Sequence, residues 1–247
     1  MQKLKNYFYE IRLLIRSVPS FIFSLFVLSV FCMNLLANKS ISLPFDWLAL
    51  DCGMLISWFA FLSMDIITKH FGPKAATELS VIATALNLLF CIIFFIVSKI
   101  PGVWSHSYVN GNENIINHAL NNTFGGTWFV IFGSTVAFLL SALVNNFTNF
   151  LVGKAFKKNS DSFKAYTVRC YISTALGQFV DNLTFSLIVS HFFFDWSLLQ
   201  CVTCSITGMI FELICEAVFS KTGYKICKKW EEEQIGQEYL KYRLEKK

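Results

Sequence analysis

The residues best equipped for chemistry in this chain sit where charge is least welcome. From Arg169 to Phe194 the sequence reads RCYISTALGQFVDNLTFSLIVSHFFF, with the length and apolarity of a membrane span. Its middle nevertheless carries Gln178, Asp181 and Asn182, and Arg169 stands near one end. A charge at mid-bilayer costs about 3 kcal/mol on insertion scales and by default marks a site or a partner. At about 100° per residue, Thr174, Gln178, Asp181, Asn182 and Phe185 fall within roughly a third of a helix circumference. In lipid such a stripe must turn toward other protein or a water-filled cavity. A carboxylate can accept two N–H bonds from an amidine-like edge, an amide can satisfy a carbonyl, and a ring can stack on a flat face. The set therefore suits a small, flat, polar ligand. The competing reading is helix glue, with Asp181 paired to Arg169 or to a nearby amide.

Other polar residues compete for the same attention. Asp65 precedes IITKHFG, where it could cap a helix or pair with Lys69 at i+4. Asp51 opens an apolar run after PFDWLAL and reads as an N-cap at the outer surface. Glu212 and Glu216 lie one helical turn apart, where two like charges on one face repel, so one is expected to be protonated or paired. His106, Glu113 and His118 are scattered and lack metal-ligand spacing. Six of the eight cysteines fall inside apolar runs, and Cys201-x-x-Cys204 has no second pair, so neither a disulfide framework nor a metal site is expected. HExxH, GxSxG, P-loop and dinucleotide fingerprints are missing, which argues against an enzyme and against any cofactor.

These residues need elements to position them, and composition says which kind. Of 247 residues, 55% are hydrophobic and only 15% charged, against about a quarter charged in soluble domains. Six spans of about 20 apolar residues can be read, at about 18–38, 47–67, 76–98, 127–152, 166–194 and 196–220. They form one transmembrane domain, 1–220, followed by a charged tail, 221–247, read as helical and solvated. An Asn- and Gly-rich loop, 99–126, is the long connection. The basic amphipathic start, MQKLKNYFYEIRLLIRS, precedes a run long enough to span, so it is not read as a cleavable signal. Eighteen of the 21 Lys and Arg residues fall in the N-terminal arm, the second and fourth connections and the tail. By the positive-inside rule both termini are then cytoplasmic. The net charge of +5 is explained by topology rather than by a basic stripe for nucleic acid.

Two stretches resemble a known family. FAFLSMDIITKHFGPKAA resembles the F-x-x-x-D-(I/L)-x-(T/S)-x-x-(Y/F)-G-x-x-x-A block closing the second span of the vitamin uptake transporters, better known as queuosine precursor transporters. VRCYISTALGQFVDNLTF resembles that family's R-N-x-x-S-T-x-x-G-Q-x-x-D-(S/T) span. The resemblance implies uptake of 7-deazaguanine-type precursors (preQ0, preQ1 or queuine) across the bacterial inner membrane. It also implies an all-α fold of six transmembrane helices, similar to the substrate-binding components of energy-coupling-factor transporters. Asp65, Arg169, Ser173, Thr174, Gln178 and Asp181 take the family's motif positions, and Trp58 and Phe185 are candidates for stacking. The chain departs from the family at Asn146-x-x-Asn149, where members often show Q-x-x-D. It also carries Glu216 and Ala217 in a last span where members often have a Lys and later a Thr-Pro pair.

The expected ligand-facing set is Asp181, Gln178, Asn182, Asp65, Asn146, Asn149, Trp58, Phe185 and Glu212. Arg169, Ser173 and Thr174 are expected to orient the helix or gate access. The partners expected are a small-molecule substrate and the bilayer, with a homo-oligomer or a separate energising ATPase module both open. The alternatives are a non-transporting membrane scaffold or sensor, and a transporter of another small heterocycle or vitamin.

Overall fold

Proline and glycine set the first boundaries. In the computed structural model, which describes residues 2–41, 43–101, 113–156 and 162–246, helix α1 (Gln2–Ser17) stops ahead of Pro19 and α2 (Ser20–Leu36) starts after it. A residue before proline is pushed out of the α region, and the two helices meet at 105°. A short antiparallel ladder, β1 (Ser40–Ile41) on β2 (Leu50–Asp51), leads to α3 (Met54–Phe71). One residue, Gly72, joins α3 to α4 (Pro73–Val97). Its φ of 89° is left-handed, which glycine adopts without strain, and Pro73 sits at the first helical turn where a missing N–H costs nothing.

The remaining helices complete the bundle. α5 (Glu113–Ala155) spans 43 residues. α6 (Phe163–Phe185) begins at Ser162, whose hydroxyl accepts the Ala165 N–H, and continues through a π-helical turn, Ser186–Ser190, into α7 (His191–Phe193). α8 (Leu198–Glu232) opens on a capping box between Ser197 and Gln200. α9 (Gln237–Glu245) follows Gly236. α6 packs chiefly between α5 and α8, and α3 touches both α2 and α8.

This is an all-α membrane architecture. Among the described residues, four helical segments are long and apolar enough to cross a bilayer: α4, Ile115–Ala155, Phe163–Phe193 and α8, with a fifth if the bent α1–α2 pair counts as one. α2 has only 17 residues, and α3 carries Asp65, Lys69 and His70 within its 18. Ala60, Phe61, Met64, Asp65 and Ile67 of α3 are fully buried, so α3 meets protein rather than lipid. The exposed Leu89, Ile92 and Ile96 of α4, and Ile210, Ile214 and Val218 of α8, form the outer apolar surface.

Several boundaries differ from those expected. The second span begins at Met54 rather than 47, because residues 47–53 are taken up by turns and β2. α5 begins well before 127, since Ile115, Ile116, Ala119 and Leu120 give its first turns a helical apolar spacing. α8 runs to Glu232, past the expected boundary at 220, and the tail is packed rather than solvated. Cys227, Trp230 and Tyr239 are buried, and Trp230 and Tyr239 pack on Phe71. Glu10 of α1 meets Lys74 at 2.6 Å, Arg243 at 3.0 Å and Lys246 at 3.6 Å, tying α1, α4 and α9 together. Burial alone would raise the Glu10 carboxyl, but hydrogen bonds and charge from Lys74 and Arg243 hold it below the ordinary glutamate range. His106, Lys157 and Lys158 lie outside the described residues.

Candidate substrate site

The polar face expected on α6 does exist, and its neighbours divide it into two sites. Toward the end of α6 that leads into the π-helical turn, Asp181, Asn182 and Phe185 line a cavity with Asn34 of α2, Asp51 of β2, Ser57 of α3 and Ser134 of α5. Asp181 Oδ1 accepts the Ser141 hydroxyl at 2.9 Å. Asp51 Oδ1 accepts the Gly53 N–H at 2.7 Å, so it shapes the turn into α3 as well as facing the cavity. Ser134 donates to Asn34 Oδ1, and Ser57 donates to Glu212 Oε1. Asn34 Nδ2 is buried with no partner among the described residues. The cavity holds about 30 Å³, whereas ligand pockets usually run to about 300–1,000 Å³. A bicyclic ligand there requires the surrounding helices to part.

The second site is centred on Asp65, whose side chain is 0% exposed. Asp65 Oδ1 accepts from Asn145 at 3.2 Å, Asn149 at 2.9 Å and Ser173 at 3.3 Å, and Oδ2 accepts from Thr174 at 3.2 Å. Asp65 therefore turns to α5 and α6 instead of capping its own helix. Arg169 donates through Nε and Nη2 to Asn149 Oδ1, which orients that amide toward Asp65. Asn146 is engaged elsewhere, accepting from Thr68 at 3.2 Å and donating to Thr77 at 3.0 Å across α3 and α4. Glu216 comes close to Asp65 and Cys170, the three offering atoms within 4.8 Å of one another.

Some expected residues are thus brought together and others are not. Asp181, Asn182 and Phe185 share the cavity, and Glu212 reaches its edge through Ser57. Asp65, Asn149, Ser173 and Thr174 form a separate polar knot with Arg169 behind it. Gln178 is fully buried, with both amide atoms unpartnered among the described residues. Trp58 stacks on Phe219 at 4.6 Å and donates to the Leu55 carbonyl, so its faces are occupied by protein. Asp181 bonds Ser141 rather than Arg169. Glu212 and Glu216 turn apart, Glu212 to Ser57 and Glu216 to the Asp65 site, where it meets another carboxyl group.

Sequence reasoning missed Asn34, Asn145, Ser134 and Ser141. Asn34 and Ser141 are lone polar residues in apolar runs, and that isolation was the available signal, whereas Ser134 adjoins Thr135 and Asn145 directly precedes Asn146. Position along the helix could not say which of Asn145 and Asn146 faces Asp65, since neighbours differ by about 100°.

Comparison with known proteins bears on what this arrangement serves. No curated protein and no solved structure gives a match to the chain. Residues 51–226 match the family model described as "Putative vitamin uptake transporter". That stretch runs from the Asp51 at the cavity wall to the last turns of α8, and takes in the Asp65 site and the cavity apart from its α2 wall at Asn34. The chain belongs to the vitamin uptake transporter family.

Proposed function

We propose that the protein imports a queuosine precursor, a 7-deazaguanine-type base, across a bacterial inner membrane. In this reading six helices span the bilayer with both termini cytoplasmic, in a fold similar to the substrate-binding components of energy-coupling-factor transporters. The basic residues support that orientation, since Lys69, Lys74, Lys154, Arg169 and Arg243 surround one cleft at a single end of the bundle. The observation that carries the substrate assignment is the cavity of Asp181, Asn182, Phe185, Asp51 and Asn34. A deazaguanine offers ring N–H and exocyclic NH2 groups to a carboxylate and a ring carbonyl to an amide donor. Asp181 supplies the first, Asn34 or Gln178 the second, and Phe185 a stacking face. The Asn34 and Asn182 amide NH2 groups line the cavity without a partner among the described residues, which is costly, and a polar ligand arriving between the helices would meet them.

Uptake of labelled precursor by cells producing the chain, against a deletion strain, tests this reading. Uptake is expected with the wild type and lost with Asp181→Ala. Unchanged uptake in the variant refutes the site, and none with the wild type refutes the substrate. The saturated hydrogen bonding of Asp65 supports a second role for part of the polar face, as glue between α3, α5 and α6. If all of it is glue, the protein is a scaffold, and deazapurines will not raise its unfolding temperature.

A further inference from the structure

Asp65 and Glu216 are two carboxyl groups in one closed site, and their surroundings are unequal. Asp65 receives four donors, from Asn145, Asn149, Ser173 and Thr174, which is the solvation a buried carboxylate requires. Glu216 is 2% exposed, and among the described residues nothing meets its oxygens at full hydrogen-bonding geometry, with only the Thr174 hydroxyl, the Cys170 thiol and Asp65 itself close by. The two come within 4.8 Å of each other. Like charges this close and this buried cannot both ionise, and the group without donors is the one that keeps its proton. The groups that face Glu216 are Asp65 from α3 and Tyr166, Cys170 and Thr174 from α6, while Arg169 is bonded to Asn149. α5 contributes neutral amides, and α8 itself carries Glu212 and Cys227 on either side.

We propose that Glu216 is the proton-binding group of a proton-coupled uptake cycle, with Asp65 as the fixed charge against which it loads. This rests on the transport reading above. Cys170 and Asp65 are as buried as Glu216, and the Asp65 oxygens are occupied, so the site takes a proton rather than a hydrated cation. The coupling route is α8. Glu212 lies one turn from Glu216, about 6 Å along the axis, and is tied to Ser57 at the substrate cavity. A movement of α8 passed through the Glu212–Ser57 hydrogen bond to the cavity wall also changes the separation of Glu216 from Asp65. Glu216 takes a proton from the outer side in one arrangement and releases it inward in the other.

The test uses the full chain in proteoliposomes with a labelled 7-deazaguanine base. A gradient of one pH unit, acid outside, supports about tenfold accumulation of a neutral substrate at one proton per molecule. The wild type is expected to accumulate label and to acidify a pH dye trapped inside when substrate is added. Glu216→Gln is expected to lose accumulation while still exchanging substrate in counterflow. Counterflow by the wild type without accumulation or proton movement overturns the coupling but leaves transport intact. Accumulation by Glu216→Gln, or loss of its counterflow as well, overturns the assignment to Glu216. Absence of both uptake and counterflow in the wild type refutes the transport reading and the coupling with it. The wild-type dye measurement decides whether uptake is proton-coupled whatever the variant does, and the variant's counterflow is read on protein shown to be folded by its elution as a single species in detergent.

Discussion

Replacing Gln178 by methionine separates a binding amide from a structural one. Gln178 is fully buried on α6, and neither its NH2 nor its carbonyl has a partner among the described residues. Each buried polar group left unmatched costs about 1–3 kcal/mol. Methionine keeps the length and flexibility of the side chain and removes both groups, so Gln178→Met should stabilise the ligand-free protein by about 2 kcal/mol or more. In a protein of this size that raises the unfolding temperature by about 4–8 °C. The same substitution removes hydrogen bonds from a ligand, so affinity for a deazaguanine should fall about 10–100-fold. Thermal unfolding of purified protein in detergent, with and without the base, reads both effects. A lower unfolding temperature for Gln178→Met would falsify the idea that the amide is unmatched at rest. A higher temperature with an undiminished ligand response would remove Gln178 from the binding face.

Asp65→Ala should cost about 3–5 kcal/mol and sharply reduce the folded protein recovered, because four donors lose their common acceptor; normal recovery of this variant contradicts a structural Asp65. The Glu10 clasp gives a pH dependence of known sign. Its carboxyl is held below the ordinary glutamate range, so its contribution is present above that range and is lost as pH falls through the lowered folded value. With partners partly exposed it amounts to about 1 kcal/mol, and acid unfolding should take more stability from the wild type than from Glu10→Gln; superimposable curves rule the clasp out. Gly133→Ala places a methyl 2.2 Å from Val189 Cγ2 and 3.2 Å from Ile188 Cγ2, with little freedom to yield. It should destabilise by about 1–3 kcal/mol, measured by thermal unfolding, and an unchanged midpoint shows that the contact can relax.

Much of the helix order was readable, because runs of Phe, Leu and Ile between basic connections leave few alternatives in a bilayer. The stripe on α6 was readable for the same reason: a helix in lipid cannot hide Asp181 and Gln178 except against protein. What could not be read was which neighbour each residue meets. Asp65 and Asp181 stand on different helices, and nothing in their spacing shows that α5 serves both, through Asn145 and Asn149 for one and Ser141 for the other. Asp51 was noticed only as a cap, since its place at the cavity wall depends on the β1–β2 turn bringing it back beside α2. The tail was misjudged by composition. Its charges hide Trp230, which meets Phe71 from the last turn of α8, and Tyr239, which meets it once α9 folds back at Gly236.

The π-helical turn at Ser186–Ser190 has a consequence for how this helix can be altered. A π turn amounts to one residue inserted into an α-helix, and such turns are frequent at functional sites. Deleting one residue there would let α6 and α7 close into a single regular helix. The wide turn absorbs its extra residue, so the chain beyond it already keeps nearly the phase of a regular helix one residue shorter. Val189 would therefore stay against Gly133 after that deletion, whereas removing a residue from the regular part of α6 would turn everything beyond it by about 100°. Length along this helix is therefore a form of information, and the π turn is the one place where a residue can be lost without reorienting one half against the other.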